Sequence, residues 1–440
     1  MAEFRRRLLV LWLTAGAFLS FVPFLGNLAL SFVLGGRFRR RIRTLLENPE
    51  AVPVDDPGDP GSPSGRVYVI AGEDSGDFHA ASLIRSIRRR APDVEVRGMG
   101  GPRMEEAGCD LDYDLVRMNV MGIGPVLRSL PIFMGLFRDL LRRLDTDPPD
   151  VLVPVDYPGF NLRAARLARR RGVRVVYYVL PQVWAWAPWR IRRIARSVDR
   201  VLLMLPFEKT LCADGDLPAA YIGHPVYEHL EAETPAAERT ADDGPPRTIG
   251  ILPGSRRAEV RSLLPCMLRA ARELRERHPD LRFVLPSQRE SLREEIEGIV
   301  ASEGEGLGVE IVFGRTHEVM RDLDLAMVAS GTATLELAYY RVPMAALYRL
   351  TRFGALVKRF LLITPWVVLV NIVAGRTVVP EIVHREGLAE RTAEALRRWI
   401  EEPGELARAR RDLEEVRSRL LISGTSDRAA GWVLRQLRKD

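Results

Sequence analysis

The chain reads as an α/β protein with two doubly wound, parallel-sheet domains. Three observations predict this. Short β-branched runs alternate with amphipathic helical stretches from Arg66 onward, the pattern of parallel sheets covered by helices on both faces. A break rich in Glu, Ala, Thr, Asp and Pro from Glu231 to Pro246 divides that alternation into two series. Finally, 440 residues are long for one core and comfortable for two domains with an appendage.

The appendage comes first. Leu8 to Gly35 carries no charged residue, a length sufficient to cross the hydrocarbon of a bilayer. Arg37-Phe-Arg-Arg-Arg-Ile-Arg43 follows where a signal peptide would show a small-residue cleavage site. These arginines outnumber those at Arg5–Arg7, which favours a cytoplasmic location for the bulk of the chain. Pro23 and Gly26 leave a kinked re-entrant helix open beside a single span. Residues 1–45 are therefore expected to form a membrane anchor. Residues 46–65, rich in Pro, Gly, Asp and Ser, are expected to form a flexible linker.

The first domain is expected over 66–232. Its strands are Arg66–Ala71, Val94–Arg97, Pro149–Val155, Arg174–Val179 and Asp199–Met204, with an amphipathic helix over Asp77–Arg90. The second is expected over 246–380, with strands Thr248–Leu252, Leu281–Pro286, Val309–Phe313 and Leu325–Ala329. Residues 381–440 read as helices packing across both domains. Ligands of open α/β sheets bind beyond the carboxyl ends of the strands, so a central cleft faced by the two sheets is expected. Gly98-Met-Gly-Gly101 lacks the third glycine of the dinucleotide fingerprint, which argues against an NAD-dependent dehydrogenase.

Composition excludes other classes. Hydrophobic and charged contents of 47% and 28% are those of an ordinary globular enzyme, and the net charge of +7 is modest. The Arg clusters flanking the apolar segment suit an anionic membrane surface. No nucleic-acid-binding signature is present. Cys109, Cys212 and Cys266 are odd in number and far apart, unlike a disulfide framework or a cysteine metal site. The six histidines form no His-x-x-x-His pair, so no histidine-bound metal is expected.

Chemistry is concentrated in the loops that follow strands. At Ser330-Gly331-Thr332 an apolar strand stops and a helix begins at once. Unpaired N–H groups there suit a diphosphate, and Glu336 one turn on suits the hydroxyls of a ribose. Arg256, after a Gly-Ser turn, offers a forked donor for phosphate oxygens. In the first domain, Gly72 and Gly76 permit a sharp turn that presents Glu73 and Asp77. Asp77 fits a helix N-cap at least as well as catalysis. Asp156, at a strand's carboxyl end before a Pro-Gly turn, is better placed to abstract a proton. Trp184 and Trp186 suit a sugar site, and equally a core or dimer role.

These segments together resemble lipid-A-disaccharide synthase, a family of GT-B glycosyltransferases (family 19). The resemblance runs from Arg66 to the C-terminus. It rests on Gly72-Glu73 with Ser75-Gly76-Asp77, Gly100-Gly101-Pro102, Val120-Met121-Gly122-Ile123, Asp156 with Phe160-Asn161, and Val183-Trp-Ala-Trp186. Leu205-Pro-Phe-Glu208, Ile222-Gly-His-Pro225, Leu252-Pro-Gly-Ser-Arg256, Ser330-Gly-Thr332 with Glu336, and Asn371 with Ala374-Gly-Arg376 continue the series.

The resemblance implies an inverting transfer of 2,3-diacylglucosamine from UDP-2,3-diacylglucosamine to 2,3-diacylglucosamine 1-phosphate, with no metal or cofactor. It implies Asp156 as general base and Glu73 as a second catalytic acid that positions the acceptor or Asp156. Arg256, Ser330, Gly331, Thr332, Glu336 and Asn371 fall on the UDP side. Ser75, Gly76, Asp77, Met121, Gly122, Asn161 and Trp184 fall on the acceptor side. It also implies work at the cytoplasmic face of the inner membrane and a possible homodimer. Gly159, Tyr177, Leu180 and Gln182 depart from the family pattern, all on the acceptor half. The apolar stretches 120–137 and 360–372 are expected at lipid and in the core, respectively. The alternatives are a UDP-N-acetylglucosamine 2-epimerase-like enzyme on the same fold and a non-catalytic tethered homologue.

Overall fold

The computed structural model describes residues 36, 38–47, 52–61, 63–117, 130–237, 245–350, 362–384 and 386–437. The expected span at Leu8 to Gly35 lies outside these residues, as do Met121 and Gly122. Among the described residues, no helix is long and apolar enough to cross a membrane. The chain folds as two units. One comprises Glu50–Pro225 with the segment from Ser423 on, and the other Val226–Ile422 with Arg39–Pro49.

In the first unit seven strands form one parallel sheet: β1 (Gly65–Ala71), β2 (Val94–Gly100), β3 (Asp110–Asp114), β4 (Val151–Val155), β5 (Arg174–Tyr178), β6 (Arg200–Leu203) and β7 (Ala219–Tyr221). Their spatial order is 3-2-1-4-5-6-7. Every ladder is parallel, with Val67 opposite Val96 on one side and Val151 on the other. One face buries Val67, Val69 and Ala71 against Ala80, Leu83, Ile84 and Ile87 of the Asp74–Arg90 helix. That helix begins three residues earlier than expected.

The strand β3 was not expected, because Asp-Leu-Asp-Tyr-Asp has poor strand propensity. Its acids are neutralised from elsewhere: Arg143 reaches Asp112 at 3.0 Å, Arg97 reaches Asp110 at 3.2 Å, and the Tyr68 hydroxyl donates to Asp112 at 2.6 Å. At the other edge, the stretch expected to be a flexible linker is tied down. Asp55 exchanges hydrogen bonds with Tyr221, and its carboxylate meets Lys209 at 2.7 Å.

The second unit has six parallel strands: β8 (Thr248–Leu252), β9 (Arg282–Ser287), β10 (Glu310–Phe313), β11 (Leu325–Ala329), β12 (Met344–Arg349) and β13 (Glu381–His384). Their order is 10-9-8-11-12-13, the same winding. The Arg257–Arg277 helix lays Val260, Leu264, Met267, Ala271 and Leu274 on the core at helical spacing. Ile363, Val368, Val370 and Ile372 are buried, so the described part of the 360–372 stretch is core. The C-terminal helices divide by unit. Leu388–Glu401 and Pro403–Leu420 belong to the second unit, and Thr425–Arg435 packs on the Asp74–Arg90 helix of the first.

Candidate active site

Each sheet reverses its winding once, between β1 and β4 in the first unit and between β8 and β11 in the second. Such switch points are where open α/β sheets hold ligands. The first carries Gly72-Glu73 beyond β1 and Asp156 beyond β4. Asp156 and Tyr157 both take left-handed conformations, φ +45° and +46°. Beyond the neighbouring strand β5, Val179 does the same at +71°. Non-glycine residues there store roughly 1–3 kcal/mol each and persist only where surroundings impose them.

The surroundings do so by hydrogen bonding. The Asp156 N–H donates to the Tyr178 carbonyl at 3.0 Å. Its own carbonyl accepts from the Tyr177 hydroxyl at 2.6 Å and from Asn161 Nδ2 at 2.9 Å. The same amide nitrogen lies within reach of the Ile70 and Val155 carbonyls, tying the ends of β1 and β4 together. Gly72 is required here: a Cβ on it would stand 2.4 Å from the Tyr157 ring. A helix, Pro158–Arg169, follows Tyr157 directly, where the sequence suggested only a turn.

The Asp156 carboxyl is pushed up to about 6, first by burial and then by the negative charge of Glu73, against an opposing bond from the Tyr157 N–H. It lines a cavity of about 310 Å³ with Val179, Leu180, Gln182, Trp186 and Arg190. The Arg190 guanidinium stacks over the Trp186 ring at 5.0 Å.

The second switch point is built differently. Beyond β8, Gly254 turns the chain at φ +106°, where a Cβ would meet the Glu259 carboxylate at 2.4 Å. Glu259 accepts from the Arg256 backbone N–H at 3.3 Å and from its guanidinium at 2.8 Å. The Arg256 side chain is 62% exposed. Beyond β11, Ser330 donates its N–H to Leu347, while Gly331 and Thr332 are exposed and their carbonyls accept from Thr334, Leu335 and Glu336. Among the described residues, the Gly331 and Thr332 N–H groups take no part in the turn's own hydrogen bonds.

Glu336 faces His317 at 3.5 Å, and both are mostly buried. Burial alone would lower the His317 pKa, but bonding to Glu336 raises it on balance. His317 carries no motif, so the sequence did not point to it.

Residues 67–430 match the family model described as Lipid-A-disaccharide synthetase. The chain is 41% identical to the lipid-A-disaccharide synthase of Myxococcus xanthus over 377 residues, covering 84% of this chain and 97% of that protein. It is 38% identical to that of Geobacter sulfurreducens over 379 residues, 86% and 98% of the two chains. The chain belongs to the lipid-A-disaccharide synthase family. It is a glycosyltransferase of lipid A disaccharide synthesis, acting on a UDP-sugar and a lipid acceptor. Among solved structures, S. aureus MnaA with UDP superimposes with a TM-score of 0.55 at 12% identity, covering 82% of this chain and 94% of its own. UDP-GlcNAc 2-epimerase from Neisseria meningitidis, bound to UDP-GlcNAc, gives 0.51 at 15%, covering 78% and 94%. At such identities the likeness shows the fold, two parallel-sheet α/β units of the GT-B kind.

Not every residue that the synthase resemblance brought forward faces a ligand. Asp77 is fully buried, and its carboxylate accepts the backbone N–H groups of Gly101, Arg103 and Met104 at 2.9–3.1 Å. It caps the neighbouring Pro102–Glu106 helix, not its own. Trp184 is core: its indole N–H donates to the buried Glu208 at 3.0 Å, with Phe207 edge-on at 5.1 Å. Trp186, not Trp184, lines the cavity. Asn371 is also spent. Its Oδ1 accepts from the Val378 and Val379 N–H groups, and its Nδ2 donates to the Val379 carbonyl and Glu381. That uses the full capacity of a primary amide and leaves nothing for a nucleotide. Asn161 holds Asp156 in place rather than facing a sugar. Gly76 is buried beneath Ala71, and Ser75 is exposed.

Proposed function

We propose that Asp156 is the general base of the synthase reaction and removes the proton of the acceptor 6-hydroxyl. The observation that carries this is a buried carboxylate beside Glu73 at the switch point of the first sheet, lifted to about 6 and lining a cavity. A base that titrates just below neutrality is ionised at working pH yet basic enough to accept a proton. As Asp156 takes it, the hydroxyl oxygen bonds to C1 of the donor sugar. The bond from C1 to the UDP oxygen breaks, UDP leaves with the electron pair, and C1 is inverted. Burial, and after it the charge of Glu73, keeps the Asp156 pKa raised.

The second unit is the donor half. Arg256 and the exposed N–H groups at Gly331 and Thr332 would meet the diphosphate and its developing charge, so no metal is invoked. Glu336, held by His317, would take the ribose. The presence of UDP in the S. aureus MnaA co-structure supports this use of the fold. The reading is tested with D156N, given both substrates and assayed for lipid disaccharide. Turnover is expected to fall by roughly 10²–10⁴-fold with UDP binding retained; unchanged turnover removes Asp156 from the chemistry.

We also propose that the enzyme works at the cytoplasmic face of the inner membrane, held by the apolar segment Leu8 to Gly35. The acyl chains of both substrates support this reading, as do the flanking arginines. Deleting residues 1–45 is expected to move the protein from the membrane pellet to the supernatant. A deletion variant that still sediments with membranes would end the assignment.

A further inference from the structure

The cavity holding Asp156 has a second functional end that the catalytic reading leaves unused. Arg190 lines it, half-buried, at the start of the short Ile191–Ala195 helix. Its guanidinium stacks on Trp186, which fixes its plane. Among the described residues it meets no carboxylate: Asp156 lines the same cavity without pairing with it. Its charged neighbours are instead of its own sign. Arg193 stands close enough to depress the Arg190 pKa, after burial as the first cause, and Arg190 in turn depresses that of Arg163, after burial and Arg166. A half-buried guanidinium that lines a cavity without a carboxylate partner, with further arginines nearby, is unfavourable unless an anion shares it.

We infer that Arg190, supported by Arg163 and Arg193, binds the sugar 1-phosphate of the acceptor. The inference rests on the reading that Asp156 meets the acceptor's 6-hydroxyl. A cavity of about 310 Å³ is at the small end for ligand sites and suits one sugar headgroup. A hexose carries its 1-phosphate on C1 and its 6-hydroxyl through C5, the two carbons that flank the ring oxygen, so the two groups leave the ring at separate points. One carboxylate and one guanidinium in a single cavity therefore bind the two ends of one acceptor. Such a clamp would also determine which hydroxyl reaches the base, since a phosphate held at Arg190 directs C6 toward Asp156. Leu180 and Gln182, which depart from the family pattern, line the same cavity.

The test compares 2,3-diacylglucosamine 1-phosphate with its dephosphorylated form, in neutral detergent free of other lipid phosphate, using wild type, R190Q and R190K. In R190Q the preference for the phosphorylated acceptor, as a ratio of kcat/KM, is expected to fall roughly 10- to 100-fold through KM. R190K is expected to recover part of it. An unmoved Tm verifies that R190Q is folded. An equal loss on both acceptors would make Arg190 merely structural, and an unchanged preference would place the phosphate elsewhere; either overturns the inference. Phosphatidylglycerol that inhibits wild type but not R190Q would assign the site to membrane headgroups, which also overturns it. Failure of the Asp156 reading is seen separately, as normal turnover by D156N.

Discussion

The two sheets are wound alike, yet their switch points are opposites in construction. Beyond β4 and β5 the chain forces Asp156, Tyr157 and Val179 into left-handed backbone and encloses the carboxylate. Beyond β8 and β11 the only left-handed residue is Gly254, Thr332 rests at an ordinary φ of −61°, and Arg256 is open to solvent. The contrast follows from the chemistry. A carboxylate becomes a useful base only when water is withdrawn from it, and holding it there costs backbone and solvation energy. A diphosphate cradle needs N–H groups and a cation, which relaxed turns already supply. Strain is thus confined to the half that needs it.

That contrast can be broken by substitution. The largest effect is expected at Asp156, where function and stability should move in opposite directions. Its folded pKa of about 6 lies above the ordinary aspartate value of 3.8, so ionisation opposes folding and stability falls as pH rises through that window. D156N should therefore stabilise the protein by about 2–3 kcal/mol at pH 7 and above, and by little near pH 4. Denaturant titrations at the two pH values measure this; a loss of stability at pH 7 would mean the carboxylate is not under strain.

A smaller effect, and a purely structural one, is expected at Asn371. N371A leaves the Val378 and Val379 N–H groups unpaired in the interior and should cost about 2–4 kcal/mol, read as a lower Tm. If stability is unchanged and only the donor KM rises, Asn371 is a nucleotide contact after all.

The smallest stability change is expected at Arg256. Its ion pair with Glu259 is exposed, worth about 0–1 kcal/mol. R256A should leave Tm nearly unmoved while raising KM for the donor roughly tenfold or more. An unaltered donor KM would end the phosphate assignment.

What the sequence disclosed divides along the same lines. Strands such as Val67–Ile70 or Leu325–Ala329 announced themselves because buried parallel strands are continuous apolar runs. β3 did not, because its aspartates are offset by Arg97 and Arg143, partners that only the fold brings near. β7 has three residues, too few for any period to show. Asp156 was legible as a candidate base from its place at a strand's end. The geometry that suits it, through Tyr177, Asn161 and Glu73, was not. Asp77, Trp184 and Asn371 carried the residue types of a site, but each is consumed by internal hydrogen bonds with the backbone or a buried acid. Arg190 and His317 belong to no motif and emerge only from what surrounds them.

The Thr425–Arg435 helix has a consequence for how this molecule comes into being. Ala429, Ala430, Val433 and Leu434 sit in the interior of the first unit, and Arg428 and Trp432 bond to the Ile222 and Asp55 carbonyls. Yet they are translated after the entire second unit. A growing polypeptide must therefore leave its earlier half with a bare apolar flank until the ribosome has passed Leu434. The later half, contiguous from Val226 to Ile422 apart from Arg39–Pro49, has all its parts sooner. Nascent chains stalled near residue 420 would expose that flank to chaperones and proteases, although both sheets had already been synthesised.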